Sequence, residues 1–352
     1  MKRYSHWFYL LLVLPWLFTA CGNDDDPMPE PEIPGKYSTG FFIINEGNFT
    51  DGDGSISFYD TEQNTPIQDI FKAENGFAVG GIIQNMKIHN GKAFLMTNRA
   101  SQLIVVDVKT FREEANLEGL IDPFDFAAVG TKGYVSVWGD PGGDFSYASS
   151  SIAVLDVNTY QVTRSIPVGQ RVAGMLAQNN KIYAAVEGGR EILVIDPNTD
   201  QILTRIETPN GPSKLLMDNN NRIWAICTSG ALVQIDPASD QIIKTITGIS
   251  VSGYNESFVH QGGILYWIAN DFFAGTRAIY SLGVQASTPP ANPLITPNYS
   301  PYGLGVSPDG SVLYVAEGNF SVTEGRVFTY STSGIARGDF ATGRAPSGFV
   351  FQ

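Results

Sequence analysis

One phrase recurs along the chain: an apolar strand that runs into Asp and then into a tight turn. It stands at Phe58-Tyr59-Asp60, Val105-Val106-Asp107, Val154-Leu155-Asp156, Val194-Ile195-Asp196 and Gln234-Ile235-Asp236. The last three continue in nearly the same words, through Asp156-Val157-Asn158-Thr159-Tyr160-Gln161, Asp196-Pro197-Asn198-Thr199-Asp200-Gln201 and Asp236-Pro237-Ala238-Ser239-Asp240-Gln241. Asp favours such turns because its carboxylate accepts from backbone N–H groups just downstream, and Pro fixes φ. Ile279-Tyr280-Ser281 and Thr329-Tyr330-Ser331 keep the register with Ser for Asp, giving seven units spaced 47, 49, 40, 40, 45 and 50 residues apart.

Within a unit the apolar residues alternate with period two, as in Lys181-Ile182-Tyr183-Ala184-Ala185-Val186 followed by Ile192-Leu193-Val194-Ile195. No stretch beyond the N-terminal segment shows helical period, so each unit reads as a four-stranded antiparallel meander. Units of this kind at this period are propeller blades, and a lone blade buries too little to be stable. Innermost strands begin after Pro at Pro123, Pro212 and Pro301, and the final one, Pro346 to Phe351, has no blade after it. The first unit, from Phe41, has only its three outer strands before the next inner strand near Ile82. The chain is therefore expected to be an all-β, seven-bladed β-propeller over 40–352, closed by pairing of the C-terminal strand with the N-terminal blade, which removes both free edges.

The first residues have the parts of an export signal: Lys2 and Arg3, an apolar run from Trp7 to Phe18, then Thr19 and Ala20. The run is too short to span a membrane permanently. Phe18-Thr19-Ala20-Cys21 resembles a bacterial lipobox, which implies cleavage after residue 20 and a diacylated Cys21. Residues 21–39 are polar and Pro-rich with Asp24-Asp25-Asp26, which reads as an extended tether. The acidic run after the cysteine resembles the surface-export signal of a large group of Gram-negative bacteria, implying an outer-membrane anchor exposed on the cell surface. Net charge is −13 for the whole chain, and loss of Lys2 and Arg3 with the signal makes it −15, so there is no basic stripe for nucleic acid. Cys227, within Ile223-Trp224-Ala225-Ile226-Cys227, reads as a small buried hydrophobe.

In a propeller the loops from second to third strands, with the inter-blade loops, emerge on one face around the axis. Candidate ligand contacts there are Asn48 and Phe49, Asn98 and Arg99, Trp138, Asp140, Phe145 and Tyr147, Arg190, Asn270, Phe272 and Phe273, and Asn319 and Phe320. Arg171, Tyr254 and Tyr302 join them from inter-blade loops. Rings beside amides and cations suit a large ligand that offers both flat apolar area and amide or hydroxyl groups. Some of these aromatics can equally be core, and some of the Asn residues turn formers. His89 and His260 fall in first-to-second-strand turns on the opposite face and read as solvent-exposed. No His cluster, CxxC pair or Gly-x-Ser-x-Gly elbow supplies a catalytic centre, so no catalytic residue and no cofactor is expected. Asp51-Gly52-Asp53-Gly54-Ser55 has the alternating oxygens of a calcium loop without its distal Glu, and a hairpin turn accounts for it more simply.

The repeat resembles the YncE-like, or YVTN, propellers, with Val312-Leu313-Tyr314-Val315-Ala316 close to that family's strand. Phe41-Phe42-Ile43-Ile44-Asn45-Glu46-Gly47-Asn48-Phe49 followed by Ser55-Ile56-Ser57-Phe58-Tyr59-Asp60, on an acidic-tethered lipoprotein, is similar to the surface propellers that capture vitamin B12. That resemblance implies a binding protein that takes cobalamin or another corrinoid as cargo and passes it to a TonB-dependent outer-membrane transporter. Two other classes stay open. A lactonase-like hydrolase requires calcium or a His pair at the axis, and a surface interaction or adhesion module has a flat aromatic patch instead of a pocket.

Overall fold

A computed structural model describes residues 35–251, 257–271 and 275–352. Among the described residues seven antiparallel sheets make seven blades, six of four strands and one of three. The inner strands are Ile82–His89, Pro123–Val129, Val172–Gln178, Pro212–Met217, Phe258–Gln261, Pro301–Val306 and Pro346–Phe351. The last pairs with Gly40–Asn45, so the first blade takes its inner strand from the C-terminus, as expected. An aromatic cluster seals this closure: Phe41 lies 5.1 Å from Tyr59, 4.8 Å from Tyr314 and 5.0 Å from Phe351, ring centre to ring centre.

Period-two alternation builds the core because neighbouring blades cover both faces of each middle strand. In Lys181–Val186, Ile182, Ala184 and Val186 pack toward the third blade with Tyr134, Ile152 and Val154. The alternate residues Tyr183 and Ala185 pack toward the fifth blade with Leu215, Ala225 and Val233. Each buried Ile, Leu or Val among them contributes about 2 kcal/mol. Outermost strands, with one neighbour fewer, are largely exposed, as in Gln161–Pro167.

The recurrent Asp turn does more than reverse the chain. Tyr134 donates to Asp200 Oδ1 at 2.6 Å and Lys132 Nζ lies 3.0 Å from the same carboxylate, so the third blade grips the turn of the fourth. One blade on, Tyr183 donates to Asp240 at 2.5 Å and Lys181 at 2.6 Å. These staples lie at the first-to-second and third-to-fourth strand turns, leaving the other face free for loops.

Three details depart from the regular repeat. The sixth blade lacks its fourth strand: after Thr276–Gly283 the chain carries Pro289, Pro290, Pro293 and Pro297, and only the bridge between Ile279 and Ile295 stands in for a ladder. Proline has no N–H to give to a sheet. A short helix, Ile70–Asn75, interrupts the all-β chain, with Asp69 accepting from Lys72 N at 3.3 Å and Gly76 closing the end at φ 81°. Residues 35–39 of the segment expected to be a tether over 21–39 are among those described, and one of them joins the core. Tyr37 is fully buried against Phe58 and Phe111, because its ring fills the gap between the first two blades. Cys21, Tyr254, Phe272 and Phe273 lie outside the described residues.

Candidate ligand-binding site

The end of each second strand delivers one residue to the same level around the axis. Backbone hooks define the level. Glu46 N donates to Ala345 O, Trp138 N to Asp122 O, Glu187 N to Arg171 O, Thr228 N to Gly211 O and Gly318 N to Ser300 O, all between 2.7 and 3.1 Å, the acceptor in each case preceding an inner strand. Asn98, paired with Ile82, and Asn270 hold the matching places in the second and sixth blades. Beneath this ring lies an axial cavity of about 680 Å³ lined by residues of all seven blades.

Two sides of the mouth carry its chemistry. On one, Phe124 stacks on Trp138 with centroids 4.0 Å apart and planes at 15°, and Tyr147 meets the indole edge-on at 5.8 Å. The Arg171 guanidinium lies 4.8 Å from the centre of the Trp138 ring and 5.0 Å from that of Tyr147, a cation over two electron-rich faces. Its Nη2 is 3.2 Å from Glu187 Oε2. Burial raises the Glu187 carboxyl above its ordinary value, and Arg171 only partly offsets this. On the other side, Glu46 accepts from the Tyr302 hydroxyl and from Gln84. Burial outweighs both bonds, so its carboxyl also titrates high. Tyr302 meets Phe320 edge-on at 5.3 Å. Lys87 and Lys214 face the cavity from inner strands below, Lys87 Nζ lying 3.5 Å from the buried Asp125.

This is a mouth able to hold a ligand by flat contact and by hydrogen bonds of both signs. The family model described as Domain of unknown function (DUF5074) matches residues 39–336. The chain belongs to the DUF5074 family. No curated protein matches it in sequence. Among solved structures it is similar to a Quinonprotein alcohol dehydrogenase-like protein from Bacteroides thetaiotaomicron, with TM-score 0.69 and 18% identity over 90% of this chain and 78% of that one. A dihydro-heme d1 dehydrogenase matches with TM-score 0.56 and 13% identity over 91% and 77%. The computationally designed Ika8 protein matches with TM-score 0.59 and 14% identity over 90% and 92%. At these identities the likeness is one of fold.

In this DUF5074 propeller, four of the expected contacts converge on the mouth: Trp138, Tyr147, Arg171 and Tyr302. The Trp138 indole N–H is engaged, donating to Val172 O at 2.9 Å, which leaves the ring as its contact surface. Several polar candidates hold loops in shape. Asn48 donates to Phe320 O at 3.1 Å and accepts from Thr50 N at 2.8 Å. Asn270 donates to Pro301 O at 3.2 Å, Asn98 accepts from Arg99 N at 2.5 Å, Asp140 from Gly142 N at 2.8 Å and Asn319 from Ser321 N at 3.2 Å. Arg99 donates to the carbonyls of Phe49 and Thr50 and lies over the Phe49 ring. Arg190 pairs at 3.9 Å with Glu207 at the outer end of its blade, away from the axis. Phe49, Phe145 and Phe320 stand on the outer rim at 63%, 75% and 37% exposure, outside the cavity wall.

Glu46 and Glu187 stand in the loops expected to carry the site but not among the expected contacts, and Phe124 and Gln84 are likewise additions to those contacts. The first two follow the second strand as Trp138 does, and aligning the units by that strand places all three in one column. Asp51 and Asp53 face the buried Arg344, whose Nη1 is 2.5 Å from Asp51 and whose Nε is 3.3 Å from Asp53, so a guanidinium sits where the calcium-like loop would hold a cation. His89 stands partly exposed at the end of its inner strand beside the turn, and it is His260 that departs from the solvent-exposed turn residue expected. His89 Nε2 is 2.8 Å from Gly130 O, and His260 Nε2 is buried without a hydrogen bond, which lowers its pKa. Cys227 is fully buried and its thiol is pushed up to about 12, as befits an unreactive core residue.

Proposed function

We propose that this DUF5074 propeller is a lipid-anchored binding protein of the cell surface. It takes a bulky nutrient across the axial mouth, a corrinoid such as cobalamin before others, and delivers it to a TonB-dependent outer-membrane transporter. The observation that carries the reading is the mouth itself: Phe124, Trp138 and Tyr147 give flat apolar area beside Arg171, Glu187, Glu46 and Tyr302, over a cavity fed by all seven blades. A corrinoid offers both surfaces, an apolar ring edge and a fringe of amides. The lipobox-like Cys21 and the acidic run after it support the anchor and the surface address. Cobalamin is cargo here, and the chemistry asked of the protein is binding.

Calorimetric titration of residues 22–352 with cyanocobalamin tests this. One-site heat at micromolar protein is expected, and Trp138→Ala should weaken it by about ten-fold or more while the circular dichroism of the sheets is unchanged. Absence of heat in the parent protein removes corrinoids from consideration.

A further inference from the structure

Arg171 and Glu187 are neighbours whose hydrogen-bonding capacity is unengaged among the described residues. Two rings and one charge hold the guanidinium: Trp138 at 4.8 Å, Tyr147 at 5.0 Å and Glu187 Oε2 at 3.2 Å. That last contact is an ion pair by distance and not a hydrogen bond, since Oε2 is buried and accepts none. Oε1 accepts no hydrogen bond among the described residues either, and both residues line the axial cavity. A guanidinium is all donor and a carboxylate all acceptor. Placed side by side and pinned by packing, they present a donor next to an acceptor at the mouth.

We infer that Arg171 and Glu187 form a carboxamide clamp, the guanidinium donating to the amide oxygen of the ligand and Glu187 accepting from its amide N–H. A primary carboxamide carries an acceptor and a donor side by side in one plane. A carboxylate satisfies Arg171 and is repelled by Glu187; an alkylammonium satisfies Glu187 and is repelled by Arg171. Selection against both follows from the desolvation cost of the partner left unpaired. The inference rests on the reading that the mouth binds a ligand, and it names the group recognised independently of whether that ligand is a corrinoid.

The chain carries tryptophan at 7, 16, 138, 224 and 267, the first two inside the expected signal, and Trp224 and Trp267 are fully buried. A ligand-dependent change in the indole fluorescence of residues 22–352 therefore reports Trp138, the tryptophan that lines the cavity. Benzamide should quench it saturably in the roughly millimolar range expected of so small a ligand. N,N-dimethylbenzamide, benzoate and benzylammonium should each bind about ten-fold more weakly or worse. Glu187→Gln keeps the shape, removes the charge, and should bring benzoate within about three-fold of benzamide. The clamp is overturned if benzamide fails to saturate, if dimethylbenzamide or benzoate matches it in the parent protein, or if Glu187→Gln leaves benzoate as weak as before. Cyanocobalamin in a parallel titration separates the two readings: benzamide selectivity without cyanocobalamin binding keeps the clamp and removes the corrinoid. Cyanocobalamin binding with no selectivity among the four probes does the reverse.

Discussion

Glu46 in the first blade and Glu187 in the fourth follow the same strand of their units. Each donates its backbone N–H to the residue before an inner strand, Ala345 at 3.0 Å and Arg171 at 2.9 Å. Both carboxyls are raised by burial. Their partners differ. Glu46 is closed off by two neutral donors, Tyr302 and Gln84, whereas Glu187 has a single cation held to it without a hydrogen bond. The backbone hook decides where the carboxylate goes, and its neighbours decide what it can do there. At the first blade the inner strands of the seventh and second blades supply two uncharged donors, suited to rigidity; at the fourth, the residue before the blade's own inner strand supplies a cation in a charged, open pair, suited to a ligand.

The largest way to break this contrast is to remove the cation. Arg171→Ala leaves Glu187 buried beside Trp138 with nothing to neutralise it. A loss of about 2 kcal/mol at pH 7 is expected in urea unfolding, less than for a wholly buried pair because the guanidinium is a third exposed. An unchanged midpoint would mean that solvent already screens Glu187. Tyr302→Phe, the counterpart across the mouth, removes one of two donors to Glu46 and should cost about 1.5 kcal/mol, since a bond to a charged acceptor is lost. Smaller again is Gly318→Ala. Its Cβ would lie 2.8 Å from the Tyr302 Cβ, so Tyr302 must shift and its bond to Glu46 is disturbed, at about 1 kcal/mol. A double variant with Tyr302→Phe should then cost less than the sum, because both act through one contact.

Much of this arrangement is written in the repeat. Period-two alternation and the Asp turns are local features that each blade repeats, so blade number and closure are legible without coordinates. What escapes is either too short or too relational. Ile70–Asn75 spans under two turns of helix and leaves no periodic trace. Asp200 and Asp240 look like turn residues, and only the neighbouring blade's Lys132 with Tyr134, or Lys181 with Tyr183, makes them staples. The proline run 289–297 did carry a signal against a fourth strand in the sixth blade, which the regularity of the repeat obscured. At the mouth, loop asparagines read as ligand donors because their composition is right. Asn48 and Asn270 instead bond backbone carbonyls, a choice set by loop conformation that residue type does not encode. Glu46 and Glu187 were readable by position, since they share the column of Trp138, but a lone Glu at a strand end carries no compositional flag.

The finest discrimination between the two carboxylates comes from pH. Each titrates above the ordinary 4.5 in the folded protein, so between that value and its raised one the folded chain binds more protons than the unfolded chain. Their contribution to stability is therefore greatest at the low end of that window and falls as pH rises through it. The paired acids Glu74, Asp107 and Asp218 are lowered instead, so what they contribute is lost only further down the scale, below the window in question. Melting temperatures from pH 5 to pH 8 should show Glu46→Gln and Glu187→Gln each flattening the decline. Arg171→Ala should steepen it, because Glu187 then faces burial with no opposing charge. If Arg171→Ala leaves the slope as it was, the guanidinium does not govern the charge of Glu187, and the two sides of the mouth are electrostatically alike.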